Sequence, residues 1–179
     1  MGPAPFAAGW PKGRLPSSGS IRIRVKNVTV VLGKYFEDFE EGMILQTLGR
    51  TMTEADIVNF CGFTGDFNPL HTDAQYASQT VFGERIAHGL CGLAMASGLV
   101  VRLNIFEGTI IAFYGIDQWG FYAPIKIGDT IHVIIKVMNK EEYKGKPQGT
   151  VTFELNVMNQ NDIKVMGGLF RTIFKKRVR

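Results

Sequence analysis

Apolar and polar positions alternate with a period of two along much of this chain. In "TIHVIIKVM" Ile131, Val133, Ile135 and Val137 alternate with mostly polar neighbours, and in "TVTFELNVM" Val151, Phe153, Leu155 and Val157 do the same. This is the pattern of half-buried strands. "TIIAFYGIDQWGFYAPI" is β-branched and aromatic, "IKVMGGLFRTIF" closes the series, and Gly128-Asp129 and Gly145-Lys146-Pro147 mark turns between strands. Nearer the start, "IRIRVKNVTVV" sets Ile21, Ile23 and Val25 against Arg22, Arg24 and Lys26. It predicts an edge strand whose basic face discourages aggregation. A second strand is predicted over "MILQTLGRTM".

Between these strands the period changes. "TEADIVNFCGFTG" predicts a helix with Thr53 as N-cap, Asp56 near its N-terminus and Ile57, Phe60 and Cys61 on one face. It must stop before Asn68-Pro69, because the residue before a proline avoids the helical region. Asp73 can cap a short helix through about Ser78. The uncharged run Ile86 to Val101 predicts a helix buried on nearly all sides, although Gly89, Gly92 and Gly98 cost about 1 kcal/mol each relative to alanine. So many small residues imply close packing. The run is too short to span a membrane. Strands, then helices, then a run of antiparallel strands is an α+β order. With one long buried helix among them, it predicts a single hot-dog fold, an antiparallel β-sheet wrapped around a long central helix.

Composition adds limits. At 179 residues and 45% hydrophobic, the chain suits one domain with a sizeable core. Residues 1–20 hold four prolines and four glycines and read as an N-terminal arm or tail; residues 21–179 form the domain. No acid precedes Glu37, a bias like that of a transit peptide, but the prolines and glycines spoil the amphipathic helix such a signal needs. Lys and Arg exceed Asp and Glu by 20 to 16, which suits an anionic ligand and falls short of a nucleic-acid footprint. Cys61 and Cys91 show no metal-ligand spacing, so a disulfide framework and a zinc site are disfavoured and a reducing, cytoplasmic setting fits best. No metal is expected at His71, His88 and His132, which lack helical ligand spacing.

One loop is not explained by folding alone. In "GDFNPLHTD" a turn accounts for Pro69 and Asp73 but leaves Asp66 and His71 over. Without further context an Asp and a His in a loop are more often an ion pair or a cap than a catalytic pair. Together with "YFEDFEEGM", "TEADIVNFCGFTG" and "FGERIAHGL", however, this loop resembles the MaoC-like dehydratases, which include the (R)-specific enoyl-CoA hydratases. The resemblance runs from about Tyr35 to at least "PIKIGDTI" and contains that family's Asp-x-Asn-Pro-x-His signature. It implies a hot-dog homodimer or dimer of dimers that hydrates a trans-2-enoyl-CoA, or dehydrates the (3R)-3-hydroxyacyl-CoA. No cofactor beyond the CoA thioester substrate is implied, and neither nucleic acid nor membrane is an expected partner.

That chemistry needs a base and an acid for the water and C2 and a donor for the enolate oxygen. Asp66 and His71 match the family's catalytic pair, and Gly89, where a helix starting at "AHG" aims free N–H groups, matches its oxyanion donor. Asn68 is expected to orient the loop or the water, and Ser97 to back the loop from the central helix. Two readings stand for His88, a satisfied helix-start residue or a direct participant. Arg85 and then Lys126 are candidates for the CoA phosphates, and Arg85 is equally a candidate for a structural ion pair. Phe60, Met95, Phe113 and Trp119 are candidates for setting the depth of an acyl pocket. A hot-dog thioesterase would need a carboxylate on or at the start of the central helix, where only Glu84 stands nearby, and an acyl-carrier dehydratase a His-Phe-Pro motif. A non-catalytic acyl-thioester-binding or assembly domain would not need Asp66, His71 and Gly89 intact.

Overall fold

Alternating residues of the long strands bury one face: Ile131, Val133, Ile135 and Val137 are at most 1% exposed, and Val151, Phe153, Leu155 and Val157 at most 2%. The computed structural model describes residues 33–177. The arm predicted at 1–20 and the basic-faced strand predicted at 21–31 lie outside them. After a 3-10 turn at Phe36–Asp38 come β1 (Ile44–Gln46), β2 (Arg50–Thr51), α1 (Glu54–Thr64), α2 (Pro69–Thr72) and α3 (Ala74–Ser78). The central helix α4 (Gly89–Val101) follows, then β3 (Ile110–Phe121), β4 (Thr130–Glu142), β5 (Gln148–Met158) and β6 (Lys164–Lys175). The sheet order is β1-β4-β5-β6-β3, every ladder antiparallel, with β2 continuing β1 along β4.

Cys91, Met95, Ala96, Leu99 and Val100 of α4 share one core with the inward faces of β4, β5 and β6. The α+β hot-dog arrangement is therefore present, with α4 as the helix the sheet wraps. Phe39 packs its ring on Phe153 and Phe174, at centroid distances of 5.4 and 4.6 Å.

Three expectations need correction. The strand predicted over 43–52 is two short pieces, because at Thr47 the side chain takes over part of the ladder: its N–H donates to Val133 O (3.0 Å) and its Oγ1 accepts from Val133 N–H (2.9 Å). The uncharged run from Ile86 is helical only from Gly89, the start read at "AHG", because Ile86 bridges Lys126 and Ala87 N–H donates to Ile125 O at 2.8 Å, which keeps the chain extended before it. Nor is α4 buried on nearly all sides. Leu90, Ala94, Gly98 and Val101 form one exposed stripe at helical spacing. The close packing implied by the glycines holds at Gly92, where a Cβ would lie 2.5 Å from Met166 Cε, and not at Gly98, where it would meet nothing within 4 Å.

Candidate active site

α1 starts on a capping box. Thr53 Oγ1 accepts from Asp56 N–H, and the Asp56 carboxylate accepts from Thr53 N–H. Burial would raise the Asp56 carboxyl, but hydrogen bonds from Thr53 and the charge and hydrogen bond of Arg50 outweigh it and hold the group below the usual carboxylate range. At the other end Gly65 takes the left-handed conformation at φ 76°, and its N–H closes on Cys61 O (2.8 Å). The chain turns there and delivers Asp66 outside the helix.

The rest of the loop is held by two more caps. Asn68 Oδ1 accepts from Leu70 N–H (2.9 Å), Pro69 fills the first helical position of α2, and Asp73 Oδ1 accepts from Gln75 and Tyr76 N–H to start α3. Asn68 thus orients the loop, its carbonyl also taking His71 N–H at 2.9 Å.

His71 Nδ1 lies 2.8 Å from Ile86 O. A carbonyl only accepts, so Nδ1 carries the hydrogen, and in the neutral ring the lone pair is then on Nε2. Asp66, with its side chain 53% exposed, accepts from Asn68 N–H through Oδ1 at 3.2 Å. The donor atoms of Asp66, His71 and His88 lie within 4.8 Å of one another. Two acceptors each about 2.8 Å from a tetrahedral water stand about 4.6 Å apart, so a carboxylate and an imidazole brought within this limit can share one water.

It suits a metal less well. His88 Nε2 is committed to Asp66 O at 3.0 Å, and the rings of His71 and His88 lie face to face, 3.7 Å between centroids and 32° between planes. An Nε2 that carries the hydrogen for the bond to Asp66 O has no lone pair to offer an ion. His132 sits on β4 opposite Met158.

Gly89 is the first residue of α4, so its N–H has no intrahelical acceptor and faces outward at the positive end of the helix. A Cβ there would lie 2.7 Å from Phe121 Cε1. Gly89 also lines a cavity of about 440 Å³ with His88, Leu90, Phe121, Tyr122 and Met166.

Residues 38–159, more than half of the chain, match the MaoC like domain. The chain belongs to this family. It is 42% identical over 107 residues to Protein MaoC of Klebsiella aerogenes, a match covering 60% of this chain but 31% of that protein. It is 38% identical over 103 residues to an (R)-specific enoyl-CoA hydratase of Rhodospirillum rubrum, covering 58% of this chain and 69% of the relative. The solved R-hydratase of Pseudomonas aeruginosa, in its unliganded form, is 30% identical with a TM-score of 0.67, covering 81% of this chain and 88% of the other.

In this MaoC-like chain the remaining candidates are engaged in other contacts. Arg85 makes a two-pronged ion pair with Glu54 at 2.8 and 2.7 Å, which lowers the Glu54 carboxyl and raises the guanidinium. Lys126 Nζ lies 2.6 Å from Glu84, which raises the ammonium. Ser97 lies eight residues along α4 from Gly89, about 12 Å of helix rise, and lines a separate cavity of about 280 Å³ with Phe113 and Phe170. Phe60 and Met95 line a third, of about 300 Å³, and Trp119 packs on Phe170, so the four acyl-pocket candidates do not converge on one cavity.

Sequence reasoning missed the contacts of His88 with Asp66, His71 and Cys61, and the ring of Phe121 over Gly89. No spacing rule announces contacts between residues this far apart in the chain. Among the described residues no helix is long and apolar enough to cross a membrane.

Proposed function

We propose that this chain catalyses the reversible hydration of a trans-2-enoyl-CoA to the (3R)-3-hydroxyacyl-CoA. The observation that carries the reading is the convergence of Asp66 and His71 within 4.8 Å, with the lone pair of His71 Nε2 left free by the bond from Nδ1 to Ile86 O. A water held between the two groups attacks C3 as one of them takes its proton. The protonated group then returns that proton at C2, so hydroxyl and hydrogen from one water end on adjacent carbons. Negative charge gathers meanwhile on the thioester oxygen, where Gly89 N–H and the positive end of α4 stabilise it. Glycine at that position lets the thioester approach the backbone.

The CoA phosphates would be met by Arg85 and Lys126, exchanging for the Glu54 and Glu84 carboxylates that hold them here. The pairing of Glu84 with Lys126 also weighs against a thioesterase, since Glu84 is the carboxylate that precedes α4 most closely in the sequence. The working unit is a homodimer. β3 is an edge strand carrying exposed Ile111, Phe113, Tyr114, Ile116 and Phe121, an edge that pairing with a second copy would cover. Purified protein without added metal should consume the absorbance of a trans-2-enoyl-CoA and yield the (3R) alcohol. Release of free CoA thiol without hydration would overturn the reading.

A further inference from the structure

An N-cap position ordinarily carries Ser, Thr, Asp or Asn, whose oxygen accepts a first-turn N–H. α4 has His88 there, 3% exposed, and its side chain caps nothing. The ring is turned the other way. Its Nε2 lies 3.0 Å from the carbonyl oxygen of Asp66 and therefore carries the hydrogen that this bond needs. Among the described residues Nδ1 is buried without a partner, as befits the second nitrogen of a neutral ring that donates from Nε2. One face lies on the ring of His71, while Phe60 approaches at 5.0 Å and Cys61 Sγ stands 3.7 Å from Nε2.

The bond to Asp66 differs in kind from the others in its loop. Residues 65–68 are otherwise held by short-range bonds: Gly65 N–H to Cys61 O, Asp66 N–H to Thr64 Oγ1, Asn68 N–H to Asp66 Oδ1 and Thr72 Oγ1 to Phe67 O. Among the described residues, His88 supplies the one hydrogen bond that reaches these four positions from outside the α1–α2 segment. A single buried imidazole thus touches the backbone of one proton-transfer group and the ring of the other, and it is bonded directly to the residue whose N–H receives the thioester oxygen.

We infer that His88 is a positioning residue of the proposed hydration. It holds Asp66, His71 and Gly89 in register, by donation from Nε2 and by stacking. It also leaves the first-turn N–H groups of α4 open to substrate, where a Ser or Asp in its place would occupy one of them. The inference rests on the hydratase reading of this site.

Three variants of the full chain separate these duties. His88→Gln places an amide N–H near the position of Nε2, His88→Asn places one near Nδ1, and His88→Phe keeps a ring for stacking without a donor. In His88→Phe and His88→Asn kcat should fall by about 10²-fold, the cost of an ångström-scale misplacement, with KM changed by less than about threefold. His88→Gln should recover kcat to within about tenfold of the parent. Equal kcat in the Gln and Asn variants, or a loss carried by KM alone, overturns the inference. Long-range proton–nitrogen correlation on the parent protein depends neither on a variant folding nor on substrate. It should show the hydrogen on Nε2 of His88 and on Nδ1 of His71, and an Nδ1–H tautomer at His88 overturns the inference by itself. A parent that hydrates no enoyl thioester would instead sink the hydratase reading, and the tautomer measurement would still decide whether His88 holds Asp66.

Discussion

Three glycines of α4 should respond to the same substitution in three different ways. Gly98 faces solvent, and a Cβ there would meet nothing within 4 Å, so Gly98→Ala should add up to about 1 kcal/mol from helix propensity. For a domain of this size that is roughly 2–4 °C in Tm. At Gly92 the new methyl would lie 2.5 Å from Met166 Cε and 2.8 Å from Ile125 Cδ1, and both side chains are buried, at 2% and 3% exposure. Overpacking of this kind costs about 1–3 kcal/mol. Set against the same propensity gain of about 1 kcal/mol, the net loss is about 0–2 kcal/mol, so Gly92→Ala should melt below Gly98→Ala by several degrees. At Gly89 the methyl meets only the far end of the Phe121 ring, 2.7 Å from Cε1, which a small change of side-chain torsion relieves, so Tm should change little. Activity should fall there by about 10²-fold or more, because the methyl stands where the thioester oxygen must approach the N–H. Thermal melts by circular dichroism and the enoyl-CoA absorbance assay read the two effects separately. A Gly92→Ala protein as stable as Gly98→Ala, or a Gly89→Ala protein with parental kcat, would refute the packing and oxyanion arguments respectively.

The carboxyl of Asp56 is depressed in the folded state, so the stability it adds is fully present above the ordinary carboxylate range and is lost as pH falls through its folded value. Asp56→Asn keeps an acceptor for Thr53 but loses the charge that faces Arg50, so it should cost up to about 1 kcal/mol near neutral pH and progressively less in acid, by urea melts across pH; a cost independent of pH would count against the role of that charge. Glu54 is half exposed, so Glu54→Gln should change stability by less than about 1 kcal/mol. By freeing Arg85 it should lower KM for a CoA thioester, while Arg85→Ala raises it, with both effects shrinking at high salt. An unchanged KM in both variants would remove Arg85 from carrier binding. Ile116→Lys on the β3 edge should shift the mass by light scattering from dimer to monomer; a parent already monomeric at micromolar concentration would contradict the edge-pairing proposal.

What could be read in advance was local. Thr53 with Asp56, Asn68-Pro69 and Asp73 each announce a helix boundary through bonds spanning two to four residues, and all three stand where expected. The alternation in β4 and β5 placed their buried faces because burial is decided residue by residue along one sheet face. The misses are non-local. The bonds of Thr47 to Val133 divide one strand into two, and the pairing of Ile86 with Lys126 delays the start of α4 to Gly89. The exposed stripe of Leu90, Ala94, Gly98 and Val101 could not be told from core, since an apolar run has no polar face to mark the outside. At the site the loop motif pointed to Asp66 and His71. The pairing of Arg85 with Glu54 and the stacking of His88 on His71 depend on where α1 and α2 dock beside the extended run that leads into α4, which no spacing within the chain encodes.

The central claim is that Asp66 and His71 act on the chemical step through one shared water, and the kinetics of their double-mutant cycle test it most directly. Asp66→Asn keeps size and most hydrogen bonding but cannot take a proton, and His71→Ala removes the other group. Each should lower kcat by about 10²–10⁴-fold, with folding and oligomeric mass intact, although His71→Ala gives up the bond to Ile86 O and the contact with His88 and should melt somewhat lower. The double mutant should be little worse than the poorer single one, because groups that serve one water do not add. Asp73→Asn is the control in the same loop and should keep near-parental kcat, since asparagine caps a helix about as well as aspartate. If Asp66→Asn and His71→Ala both fold and still hydrate a good enoyl-CoA near the parental rate, the loop is only a turn and the catalytic account is wrong.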